Sequence, residues 1–330
     1  SDLAIYEHGR VGSIQGSYHF NHEDGTPFFW QGCTAWNGGL KSTREEWEMY
    51  LEHRARHGYN VIQLVGTQWR GCDKNSRGEV AFTGSGRITL NPEFYQHFDE
   101  KMDRLNAHGH VAGLVLLWAL PFGPGTELSP GYYLPDREAI LLARYMVARY
   151  GAHHVVWILG GDGRFVRELE DRWKHIGKEV FRDKPQGLST LHPMGQSWVG
   201  DIYGRESWFD LDGYQSSHGT GKSTLEFINR TIAEGWKNNP PKPVINLEPC
   251  YEEIRYSIFE DDVRNASYWS VFAAPPGGIS YGADGIWPWI REGEKPLNHR
   301  YTPEVSTWDK AMDLPGSHQV FYLGEFMRAC

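Results

Sequence analysis

The sequence predicts an α/β fold, a (β/α)8 TIM barrel with a short N-terminal β-hairpin. Three observations carry this. First, a unit recurs in which a helix stops on a glycine and a strand follows at once. His57-Gly58 precedes Asn60–Val65, His108-Gly109 precedes Val111–Trp118, and Tyr150-Gly151 precedes Val155–Leu159. Such alternation implies parallel strands joined by helical crossovers. Second, eight strand candidates can be placed along the 330 residues. Third, connections entering strands are short, whereas those leaving them, about 66–90, 119–135, 193–210 and 285–303, are long. Elaborated loops on one face are what a barrel with a site at its C-terminal mouth presents. An open doubly wound sheet is the structural alternative.

Residues 11–27 read as the hairpin, with Glu23-Asp24-Gly25 as its turn signal. This divides the chain into residues 1–27, packed on the barrel, and residues 28–330, the barrel itself. The eight strands are expected at 28–36, 60–65, 111–118, 155–160, 187–192, 211–217, 243–248 and 278–284. Thr43 followed by Glu46 is a capping-box pair, so the first helix starts there and Gly58 closes it. Further helices are expected at 165–181, 223–237, 260–273 and 317–328, and residues 193–210 look irregular. In the 66–90 loop, Glu79-Val80-Ala81-Phe82-Thr83 suggests a small hairpin lid.

Composition narrows the function classes. The formal net charge of −9 argues against nucleic acid and anionic membranes as partners. No apolar run approaches the roughly 18 residues of a membrane helix, and the first residues show no basic and apolar leader pattern. Four scattered cysteines (Cys33, Cys72, Cys250, Cys330) form no C-x-x-C, which favours free thiols and a cytoplasmic over a periplasmic or secreted setting. No ligand cluster appears at a strand end, so neither metal nor cofactor is expected. Gly219-Thr220-Gly221-Lys222-Ser223-Thr224 resembles the tail of a phosphate-binding loop, but Ser216 occupies the position of the first glycine. With 14 Trp, 17 Tyr and 15 Phe, the chain has aromatic rings to spare for sugar faces.

Two carboxylates stand out. Asp162 ends the fourth strand, and Glu248 ends the seventh, where Pro249 stops the ladder. Alternation puts Val244, Asn246 and Glu248 on one face of their strand and Ile245 and Leu247 on the other. If the purely apolar face meets the helices, Glu248 turns into the barrel mouth. A pair of carboxylates across a barrel is what glycoside hydrolysis requires. Trp36, Gln63, Trp118, His192, Gln215, His218, Tyr251, Tyr281 and Trp287 fall at or near strand ends and are candidates for binding an oligosaccharide or glycoside substrate; each could equally be core.

Five stretches carry a family resemblance. Asp24-Gly25-Thr26-Pro27-Phe28-Phe29-Trp30-Gln31-Gly32-Cys33-Thr34-Ala35-Trp36, with Gly58-Tyr59-Asn60-Val61-Ile62-Gln63, resembles the apiosidase-like family of barrel glycoside hydrolases. Trp157 to Asp162, Glu248 to Glu252 and Tyr281 to Trp287 fit the same family. The resemblance implies a (β/α)8 barrel, no cofactor, and catalysis by the residues matching Asp162 and Glu248. It points to an exo-acting, retaining hydrolase of a plant or microbial glycan, apioside-like or related, with Glu248 as nucleophile and Asp162 as acid/base. The rival reading is a carbohydrate-binding barrel without activity, and a metal-dependent hydrolase comes third. One departure is Cys33, where the family usually has aspartate; if that aspartate touches sugar hydroxyls, the substrate here differs.

Overall fold

The structure, a computed structural model, describes residues 3–13 and 16–330. Eight parallel strands form the barrel: β4 (Trp30–Thr34), β5 (Val61–Val65), β8 (Val111–Trp118), β9 (Val155–Gly163), β10 (Ser189–Pro193), β11 (Asp212–Gln215), β12 (Val244–Glu248) and β13 (Gly278–Tyr281). Their order, β10-β9-β8-β5-β4-β13-β12-β11, follows the chain around a ring. The open-sheet alternative fails, because the ends of this order also meet. At that seam a side chain bridges the strands. Asp210 N–H donates to Ser189 O at 2.9 Å, the Thr190 hydroxyl donates to Leu211 O at 2.8 Å, and Gly213 N–H donates to Thr190 Oγ1 at 3.2 Å.

The N-terminal segment is more than the expected hairpin. β1 (Val11–Ser13), β2 (Phe20–His22) and β3 (Pro27–Phe28) make a three-stranded antiparallel sheet. The Glu23-Asp24-Gly25 turn joins β2 to β3 rather than folding 11–27 on itself, and β3 crosses the expected boundary at residue 27. Ile14 and Gln15 lie outside the described residues. Val11 and Phe20 pack into one cluster with Trp30, Val61, Val111, Val156, Leu188, Leu211 and Ile245, residues at or beside the starts of seven barrel strands. This sheet is therefore the floor of the barrel. Arg10 anchors it to the β8–β9 side by donating to the carbonyls of Gly151, Ala152 and His153.

The helices form the outer wall. Thr43 and Glu46 complete the capping box of helix Arg44–Arg56. The segment expected as one helix at 223–237 runs as Lys222–Glu226, a π-helical turn Phe227–Ile232, and Ala233–Gly235. Residues 193–210 hold only a one-turn helix, Gly200–Tyr203. The lid expected at 79–83 is displaced: β6 (Phe82–Thr83) pairs with β7 (Thr89–Leu90). Glu138 of helix Asp136–Tyr150 binds Ile88 N–H, so this hairpin packs on the outer wall instead of over the mouth. Among the described residues no helix is long and apolar enough to cross a membrane.

Candidate active site

Glu248 reaches the barrel mouth, but for a different reason than strand alternation gives. Val244 packs with Phe227, Ile232 and Ala274 on the helix side. Asn246 donates to Ser216 Oγ and to Ser270 Oγ of helix Glu260–Ala273, both at 2.9 Å. Ile245 and Leu247 instead face the floor cluster. The expectation that the apolar face meets the helices is thus inverted, and a regular strand would have sent Glu248 outward. The register corrects it. Tyr214 pairs with Asn246 and the next residue, Gln215, pairs with Glu248, so β12 carries one extra residue between them. Such a bulge re-aims the side chain after it.

Both oxygens of Glu248 meet imidazole. His192 Nε2 lies 3.1 Å from Oε2, and His218 Nε2 lies 3.0 Å from Oε1. The backbone fixes both tautomers: Asp162 N–H donates to His192 Nδ1, and Tyr251 N–H donates to His218 Nδ1, each at 3.3 Å. With Nδ1 accepting, the ring proton sits on Nε2, toward the carboxylate. The His192 proton is less well aligned than its distance suggests. The Tyr251 hydroxyl accepts from Trp36 Nε1 at 2.7 Å and so keeps its proton for another acceptor. Burial pushes the Glu248 pKa up, but hydrogen bonding to the two histidines outweighs it and holds the group well below the usual range.

Asp162 is opposite in character. It sits in the left-handed region at φ +49°, a conformation Asp tolerates better than most residues and one that aims its carboxyl across the mouth. Gln215 Nε2 reaches its Oδ1 at 3.3 Å. Burial, then the charge of Glu248, raise its pKa to about 7. Two adjacent carboxyls are therefore pushed apart in proton affinity, the pattern of an acid and a base at one centre.

Gly161 makes room for the wall beside Asp162. A Cβ there would lie 2.6 Å from Trp118 Cε3 and 2.9 Å from Val115 Cγ1. Gly161→Ala is expected to displace the ring or the strand end and to lower kcat/KM by roughly 10- to 100-fold, the scale of a 1 Å misplacement. Steady-state kinetics on the folded variant checks this, and near-wild-type kcat/KM would contradict it.

The cleft above the pair encloses about 480 Å³. Of the residues singled out in the sequence, Trp36, Trp118, Asp162, Gln215, His218, Glu248, Tyr251 and Trp287 line it. His192 lies just below, against Glu248. Gln63 is one layer deeper, donating to Leu247 O and bonded to the Ser280 hydroxyl inside the barrel. Tyr281 is misplaced by the sequence reading: fully buried on the helix side, it donates to Glu252 Oε2 at 2.6 Å. Cys33 is also turned away from the cleft, buried beside Tyr50 and Arg54.

Sequence reasoning missed Trp69, Arg70, Asp284 and His299. Trp69 lies against Trp118 with ring centroids 4.2 Å apart, and His299 lies against Trp287 at 4.6 Å. Asp284 accepts from Trp287 Nε1 at 2.9 Å and fixes that ring. Arg70 and Asn298 exchange bonds, at 3.2 and 3.0 Å, between the loops after β5 and β13. These loops wall the cleft on one side.

The sequence matches the model of the apiosidase-like catalytic domain over residues 14–330. A solved structure described as a glycoside hydrolase superposes with a TM-score of 0.84 at 26% identity, covering 100% of this chain and 77% of that one. A glycoside hydrolase family 5 structure from Bacteroides vulgatus ATCC 8482 gives 0.84 at 25% identity, over 98% and 72% of the two chains. The endo-1,4-beta-mannanase of Rhizomucor miehei shares the fold, with a TM-score of 0.69 at 11% identity over 98% and 100%. No curated protein matches the sequence.

Proposed function

Since this chain belongs to the apiosidase-like family and is a glycoside hydrolase on a (β/α)8 barrel, we propose that Glu248 and Asp162 perform the hydrolysis with retention of configuration. The observation that carries this is the split between the two carboxyls. Glu248 is held ionised by His192 and His218, and Asp162 is inclined to keep its proton beside it.

In the first step a Glu248 oxygen attacks the anomeric carbon while Asp162 gives its proton to the departing glycosidic oxygen. The glycosyl–oxygen bond breaks and a glycosyl ester forms on Glu248. In the second step Asp162, now a carboxylate, takes a proton from water as that water attacks the same carbon and frees Glu248. Gln215 supports a short span between the two acids, since it pairs with Glu248 in the sheet and touches Asp162 through its amide.

The substrate is a plant or microbial glycan, apioside-like or related, cut from a chain end. The walled shape of the cleft favours this over an open trench, because Arg70 and Asn298 join the loops across one side. Trp36, Trp118 and Trp287 offer ring faces to the sugar. The Trp118 indole N–H is buried without a protein partner and lines the cleft, which suits it to a hydroxyl.

The test is a time course by proton NMR on an aryl glycoside or pectic oligosaccharide that the enzyme turns over. The first-formed anomer is expected to match the substrate's configuration. Appearance of the inverted anomer first would overturn retention and turn Glu248 into a base.

A further inference from the structure

A second cluster lies far from the cleft, where the first and last β/α units meet. His53 and His57 occupy the last turn and the C-cap of helix Arg44–Arg56, four residues apart and hence on one face. Asp313 and His318 come from the turn before helix Pro315–Ala329 and from that helix's first turns. One ligand atom each from His53, His57 and Asp313 can be chosen so that all lie within 4.8 Å of one another. His53 Nε2 is 2.8 Å from Asp313 Oδ1, and His318 Nε2 is 3.9 Å from the same oxygen. The His53 and His57 rings stack at 4.1 Å, and the His57 and His318 rings meet at 5.0 Å.

We propose that His53, His57, Asp313 and His318 form a site for a divalent transition-metal ion, zinc by ligand type.

The second layer is already in place. His57 Nδ1 donates to His53 O at 2.8 Å, which leaves Nε2 with its lone pair free. Backbone carbonyls holding the far ring nitrogen are the usual way a ligating histidine is fixed. His53 is buried, with Nδ1 unpartnered. When an ion takes Nε2, the proton now shared with Asp313 moves to that Nδ1, and the ring stays neutral. The set of imidazoles plus one carboxylate matches tetrahedral zinc. The helix C-terminus adds partial negative charge toward the ion. Arg54, the neighbouring cation, is turned away and donates to Met312 O at 2.6 Å and Ser317 Oγ at 2.8 Å. Helix Arg44–Arg56 ends at the floor side, just before β5 begins, so the ion sits at the opposite end from Asp162 and Glu248. It would clasp the first unit of the ring to the last.

The experiment is isothermal titration of metal-free protein with zinc chloride, with melting temperature read in parallel. The wild type is expected to bind one ion per chain and to melt higher with zinc. His57→Ala and His318→Ala, both at partly exposed positions, are expected to weaken binding at least tenfold each, to lose the melting shift, and to keep full glycosidase activity, which also reports that they are folded. Absence of saturable binding in the wild type, or wild-type affinity in both variants, overturns the site.

Discussion

Glu248→Gln is expected to lower kcat by about 10⁴-fold or more, since it removes the proposed nucleophile while keeping the size of the side chain and one of its two histidine contacts. The fold should stay intact: Glu248 belongs to the cleft and takes no part in the floor cluster. Glu248→Ala with added azide gives the sharper reading. Azide fills the missing carboxylate's place and attacks the anomeric carbon, so a glycosyl azide of inverted configuration is expected. Near-wild-type turnover by Glu248→Gln, without any added nucleophile, would remove Glu248 from the mechanism.

Asp162→Asn is expected to lower kcat/KM on an unactivated glycoside by roughly 10²–10⁴-fold, the usual contribution of a placed acid–base group. Substrates whose leaving group departs without a proton should suffer much less in the first step. The pH profile adds a second measurement. Burial and the charge of Glu248 raise Asp162 to about 7, and the protonated form does the work in the first step. Activity should therefore hold below that value and fall as pH rises through it. Glu248, held down to about 2, stays ionised throughout the working range and gives no acid limb there. Wild-type kcat/KM should show the alkaline limb, and Asp162→Asn should lack it. An unchanged limb in the variant would assign the titration to another group.

The barrel was legible in the sequence because its signals are local. A helix that ends on glycine and a strand that starts at once need no knowledge of the partner strand. Asp162 and Glu248, which line one cleft, were singled out the same way, as charges at the ends of apolar runs. The facing of Glu248 was not legible. Parallel strands are buried on both sides and read apolar throughout, so Ile245 and Leu247 looked like helix contacts although they fill the floor. The bulge that turns Glu248 inward exists only in the pairing of β12 with β11. Tyr281 failed for a related reason: its place near a strand end was right, but its hydroxyl faces Glu252 on the loop after the neighbouring strand β12. Trp69, Arg70 and His299 lie in long loops, where spacing carries no facing information. The Cys33 position raised the question of a sugar contact because the resembling family usually carries aspartate there; its side chain is buried beside Tyr50 and Arg54, whereas Trp36, just past β4, lines the cleft.

The floor sheet also bears on how the molecule is assembled. Val11 and Phe20 are made first, yet they are covered by Leu211 and Ile245, which follow most of the chain later. Contacts of such sequence separation close late, after their loop entropy has been offset by other structure. Closure of the ring spans more chain still, since Trp30 of β4 pairs with Gly278 of β13, so floor and ring rest on contacts of the same long range. Interactions made after the rate-limiting step retard unfolding more than they hasten folding. If the N-terminal sheet docks after that step, its contacts act on persistence, on how long the native state lasts once formed.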